Sequence, residues 1–132
     1  MATIHDILQQ YWGYSNFRPL QKEIITSVID KKDTLALLPT GGGKSICYQV
    51  PALAQEGLCL VISPLIALMK DQVENLRKRG VLSLAIYSGM SRRLIAQTLK
   101  NAAYGDYKIL YVSPERIETD LFKEYLPALG IN

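Results

Sequence analysis

The chain has 132 residues, 48% of them hydrophobic and 20% charged, with a formal charge of +3 at pH 7. That length allows one domain with a real core, and the composition excludes disordered, collagenous and disulfide-framed chains. Twelve acidic residues are mixed among fifteen basic ones, so the charge is only a weak hint of a polyanionic partner and a solvated mixed surface explains it as well.

Apolar residues at Ile4, Ile7, Leu8 and Tyr11 have helical spacing, and Thr3 with Asp6 resembles a capping box, which predicts a first short helix. After the stretch Tyr11 to Tyr14, a second helix is expected to start at Pro19 and to run through Ile24, Ile25 and Val28, with Asp30 to Asp33 as a charged turn. Four short apolar runs follow, at Thr34 to Leu38, Leu58 to Ile62, Leu82 to Tyr87 and Lys108 to Val112, and read as strands. Between them lie helix-like segments Lys44 to Ala54, Leu65 to Arg79 and Ser91 to Ala103, with Gly80 placed to stop the second and Ser91 to cap the third. Thr119 to Leu129 reads as one more helix. This alternation predicts an α/β fold, a three-layer αβα arrangement of βαβ units around a mainly parallel sheet. In such sheets ligands bind beyond the carboxyl ends of the strands, where the loops at Pro39, Ser63, Ser88 and Ser113 fall.

The first of those loops carries the sharpest signal. Pro39-Thr40-Gly41-Gly42-Gly43-Lys44-Ser45 follows the apolar run Leu35 to Leu38 and leads into a helical segment, the context of a phosphate-binding loop. Glycines let backbone N–H groups close on phosphate oxygens, and the helix start adds a positive dipole end. Lys44 is expected to reach the β/γ-phosphates and Ser45 to hold Mg²⁺. The general pattern asks for glycine where this chain has Leu38, so the loop is a variant. Upstream, Tyr14, Arg18 and Gln21 put an aromatic ring, a guanidinium and an amide within eight residues, a set that suits a purine base. Three apart, Arg18 and Gln21 would share one face of a helix. The alternative is that Tyr14 and Phe17 simply pack the N-terminal helix onto the domain.

Cys47 and Cys59 are isolated and lie in or beside apolar segments, as buried reduced thiols of a cytosolic protein would. The single histidine, His5, is expected on a helix surface, and no metal site is predicted beyond nucleotide-bound Mg²⁺. No apolar stretch reaches the ~18 residues of a membrane span, and no basic segment leads into an apolar core at the N-terminus, so a membrane partner is not expected. Hydrolysis needs a second-strand carboxylate for the metal, and no Asp or Glu here ends an apolar strand.

Four segments resemble the ordered motifs of the RecQ helicases of superfamily 2: Phe17 to Gln21, Leu38 to Leu53, Ser63 to Val73 and Tyr111 to Arg116. The likeness spans nearly the whole chain, and helicases of this superfamily do not require glycine at the position of Leu38. It implies a RecA-like P-loop NTPase fold over residues 1–132, the first motor domain of an ATP-dependent 3′–5′ DNA helicase that uses ATP and Mg²⁺ to translocate on single-stranded DNA and unwind duplex. Carried over by position, Tyr14, Arg18 and Gln21 resemble the adenine-recognition motif, and Thr40, Gly41, Gly42, Gly43, Lys44 and Ser45 resemble motif I. Ser63, Pro64 and Leu65 with Lys70 are similar to motif Ia, Ser88 and Gly89 to a strand-tracking loop, and Ser113, Pro114 and Arg116 to motif Ib, all implied DNA contacts.

The resemblance also implies that the chain is part of a longer enzyme, ending before the strand with the Asp-Glu-Ala-His motif and before a second motor domain and zinc-binding and winged-helix regions. The implied location is cytoplasmic, nucleoid-associated in a bacterium, or nuclear in a eukaryote. Leu20 departs from the family, which often has glycine between the proline and the glutamine. Two other readings stay open: an RNA helicase or DNA translocase of another superfamily 2 type, and a non-catalytic module that binds nucleotide or single strands.

Overall fold

A computed structural model describes residues 3–38 and 43–131. Contacts divide the chain into two compact units, residues 1–56 and 57–132.

The first unit is helical. Helix α1, Ile4–Trp12, opens on the expected capping box: Thr3 Oγ1 accepts from Asp6 N, and Asp6 accepts from Thr3 N. It ends on Gly13 in the left-handed region. Helix α2, Gln21–Ile29, begins two residues later than the expected start at Pro19. Leu20 sits before it with φ 72° and ψ −17°, a left-handed conformation that no helix interior accommodates. Arg18 and Gln21 therefore do not share a helix. Helix α3, Ile46–Ala54, packs on both, and Ile7, Ile25 and Val50 form a buried core flanked by Trp12, Phe17 and Leu53.

The run Thr34 to Leu38 forms no strand. Leu35 and Leu37 are 88% and 82% exposed, and the segment has no ladder partner among the described residues. β-propensity describes fit to a pleated, half-buried surface, and without a neighbouring strand an apolar run gains nothing by pairing. The expected four-stranded pattern is thus three-stranded here.

The second unit holds that sheet. Strands β1 (Cys59–Ile62), β2 (Ser83–Ile86) and β3 (Ile109–Val112) pair in parallel in the order β1-β3-β2. Ile62, Ile86 and Val112 lie in register at their carboxyl ends. All four residues of the central strand β3 are buried, as a strand covered on both faces requires. On one face Leu110 and Val112 join Leu84, Ile86, Leu99 and Phe122 in the main core.

Helix α4, Ile66–Lys78, packs against β2 and stops where expected. Gly80, at φ 86°, lets Gly80 N reach Arg77 O and Val81 N reach Leu76 O, a Schellman ending. A Cβ there would meet nothing within 4 Å, so the backbone angle alone favours glycine. Helix α5, Arg92–Tyr104, is capped by Ser91 Oγ accepting from Leu94 N.

After β3 the chain makes a short turn, α6 (Pro114–Ile117), that the sequence pattern did not suggest. The last expected helix is broken in two, α7 (Asp120–Tyr125) and a 3-10 turn at Leu126–Leu129. Pro127 accounts for the break, since it has no N–H for the α-ladder. Among the described residues, no helix is long and apolar enough to cross a membrane.

Candidate functional site

In the first unit, Gln21 is the pivot. Its side chain is 1% exposed, and Oε1 accepts from Arg18 N at 2.8 Å while Nε2 donates to Gly43 O at 3.1 Å. A buried amide is costly unless bonded, so these contacts fix both the turn at Arg18 and the end of the glycine loop. Gly43 has φ 77°, and a Cβ on it would lie 2.2 Å from Gln21 Nε2. Two independent constraints thus favour glycine at this position.

Lys44 and Ser45 form the first turn into α3, with Cys47 N bonding Lys44 O and Gln49 N bonding Ser45 O. Lys44 is exposed, and the Ser45 side chain does not cap the helix. Tyr14 and Arg18 are also exposed. Phe17 is half-buried and meets His5 edge-on at 4.9 Å, so His5 packs an aromatic instead of standing on an open surface. Pro39, Thr40, Gly41 and Gly42 lie outside the described residues.

In the second unit, three serines end adjacent strands on one edge of the sheet. Ser63 N bonds Val112 O and Ser113 N bonds Ile86 O, so the ladder runs directly into the loops. Ser63 Oγ accepts from Leu65 N at 3.2 Å, turning the chain into α4. Pro64, Leu65, Lys70, Ser88, Gly89 and Pro114 are exposed, whereas Arg116 is half-buried. Ser113 is buried, and its hydroxyl makes no well-formed hydrogen bond.

Two further residues belong to this cluster. The Lys70 ammonium lies 4.8 Å from the centre of the Tyr87 ring, a cation–π contact that ties α4 to the turn after β2. The Glu115 carboxylate accepts from Ser88 Oγ, tying α6 to the same turn. That hydrogen bond holds the Glu115 carboxyl below its usual range, with a backbone bond and the nearby Ser113 hydroxyl adding to the effect. In the sequence Tyr87 stands only as the end of an apolar run and Glu115 only within the segment Tyr111 to Arg116, with no separate role for either. The only available signal was their position, immediately beside Ser88 and Pro114.

Cys47 and Cys59 are free thiols, both raised in pKa by burial, which makes them poor nucleophiles. No group of three or more His, Cys, Asp or Glu able to hold a metal occurs among the described residues.

Residues 18–130 match the DEAD/DEAH box helicase family. The chain is 45% identical to the ATP-dependent DNA helicase RecQ of Synechocystis sp. over 87% of its length, and 44% identical to RecQ of Bacillus subtilis over 95%. It is also 44% identical, over 84% of its length, to a putative ATP-dependent RNA helicase of Acanthamoeba polyphaga mimivirus. These alignments cover 24%, 21% and 20% of the respective relatives, so the chain spans about a quarter or less of their length. The match from Arg18 to Gly130 takes in both the Gln21–Gly43 linkage and the three serine loops, and the chain belongs to the DEAD/DEAH box helicase family, similar within it to RecQ DNA helicases.

Proposed function

We propose that the chain is the ATP-binding part of a RecQ-type 3′–5′ DNA helicase, which couples ATP hydrolysis to translocation on single-stranded DNA and to duplex unwinding. Turnover is assigned to the longer protein, together with a second motor domain. The observation that carries this reading is the family match, because one continuous stretch includes a glycine-lysine-serine turn and strand-end serine loops.

In this reading the backbone at Gly41 to Lys44 cradles phosphate oxygens, and Thr40 and Gly42 belong to the same loop. Lys44 stabilises charge on the transferred phosphoryl group. Ser45 offers a hydroxyl oxygen, a donor suited to the hard Mg²⁺ ion, which when bound supplies charge neutralisation on the phosphates. Tyr14 and Arg18 face the base. Gln21, assigned to adenine, is buried on Arg18 N and Gly43 O here, so it reaches the base only by exchanging part of this bonding, and in doing so links the base to the loop.

DNA engages the second unit by its backbone. Small side chains at Ser63, Ser88, Gly89 and Ser113 let phosphates approach the strand ends, where the N–H groups of Ser63 and Ser113 are already held by Val112 O and Ile86 O, while Lys70 and Arg116 supply charge without reading bases. The protein acts in the cytoplasm, on the nucleoid, or in a nucleus, as its host dictates.

The test is twofold. In the full-length protein, Lys44→Ala should abolish DNA-stimulated ATPase while leaving the fold intact, and near-normal turnover would sink the assignment. Comparing stimulation of the full-length protein's ATPase by DNA and by RNA separates a DNA motor from an RNA-directed one, and titrating the 132-residue chain with labelled ATP and a labelled oligonucleotide at two salt concentrations shows what this part binds without turnover.

A further inference from the structure

Strands β2 and β3 are neighbours with Ile86 opposite Val112, so the turn after β2 and the α6 turn after β3 lie side by side. The β2 turn is tight: Met90 N bonds Tyr87 O at 3.4 Å, and Gly89 has φ 96°. It is held from one side by Lys70 against Tyr87 and from the other by the Ser88–Glu115 hydrogen bond. Ser88 and Glu115 are both exposed, so the pair sits at the surface the strand would use.

The sign of Glu115 is the anomaly. Ser88, Gly89, Ser113, Pro114 and Arg116 are the residues to which the proposed function gives a polyanion, and a carboxylate stands among them. A serine hydroxyl has a single proton to donate. Ser88 Oγ cannot donate to the carboxylate and to a phosphate oxygen at once, and the two acceptors carry like charge.

We infer that Glu115 is a positioning residue that competes with the DNA phosphate for the Ser88 hydroxyl. With no strand bound it holds the turn after β2 ready; when a phosphate arrives, Ser88 Oγ transfers its hydrogen bond and the carboxylate withdraws. This exchange weakens the grip at that one contact, which suits a protein that must release each phosphate to advance. The inference rests on the DNA-binding reading above.

The test measures single-stranded DNA affinity of the full chain by fluorescence anisotropy at two salt concentrations, for wild type, Glu115→Gln, Ser88→Ala and the double variant. Glutamine leaves Ser88 a neutral, weaker acceptor in place of the charged one, so the turn keeps its contact while the competition for the hydroxyl is weakened. Glu115→Gln should bind about three- to fivefold more tightly than wild type at low salt, the scale of one exposed charged contact. In the Ser88→Ala background the same change should give less than about twofold, because no hydroxyl remains to compete for. Equal gains in both backgrounds would mean only long-range repulsion and would overturn the inference, as would unchanged or weaker binding by Glu115→Gln. If wild type binds no DNA at either salt concentration, the DNA-binding reading fails and this inference falls with it.

Discussion

Gly43→Ala tests the linkage between the glycine loop and the N-terminal segment. At φ 77° an alanine carries left-handed strain of about 1 kcal/mol or somewhat more. Its Cβ would also fall 2.2 Å from Gln21 Nε2, so the amide must leave, breaking the 3.1 Å bond to Gly43 O. Losing that one bond adds about 0.5–1.5 kcal/mol, which brings the total loss to roughly 1.5–3 kcal/mol. Urea unfolding followed by the fluorescence of Trp12, the one tryptophan and a flank of the first unit's core, reads this directly. Repeating the substitution in Gln21→Ala removes the collision and leaves only the strain, about 1 kcal/mol. Equal losses in the two backgrounds would refute the claim that Gln21 and Gly43 act as a unit.

Two smaller predictions concern the same unit. Leu20→Gly and Leu20→Ala both delete an exposed side chain, but only glycine relieves φ 72°, so the glycine variant should be the more stable by about 1 kcal/mol in thermal unfolding. A glycine variant no more stable than the alanine one would count against strain at Leu20. The Asp6 carboxyl is held below its usual 3.8 by hydrogen bonds from Thr3, so its contribution to α1 is present above that value and lost as pH falls through the depressed one. Circular dichroism on titration from about pH 5 to pH 2 should show an acid loss of helix that Asp6→Asn lacks.

Much of the fold was legible because it rests on local chemistry. Thr3, Gly80 and Ser91 mark helix ends by hydrogen bonds and backbone angles that involve only near neighbours. The strands of the second unit declared themselves as apolar runs, and the serine loops followed from where parallel strands end. Thr34 to Leu38 has the same composition as a strand, yet pairing depends on a partner that no local pattern specifies. Leu20 misled differently: proline at position 19 suggested a helix start, and only the backbone angle at Leu20 delays it to Gln21. Gln21 was picked out for its amide, but its bond to Gly43, across 22 positions of sequence, could be found only from the fold. The contact of Glu115 with Ser88 is hidden for the same reason, since the two lie 27 residues apart.

The strand order β1-β3-β2 bears on how the second unit assembles during synthesis. The two outer strands never pair with each other, so Cys59 to Ile62 and Ser83 to Ile86 have no ladder until Ile109 to Val112 inserts between them. A chain emerging from the ribosome therefore holds two apolar segments open for as long as it takes to make the third. Such non-local closure slows folding, and the strand made last of the three is the one that joins the other two and is buried at every position.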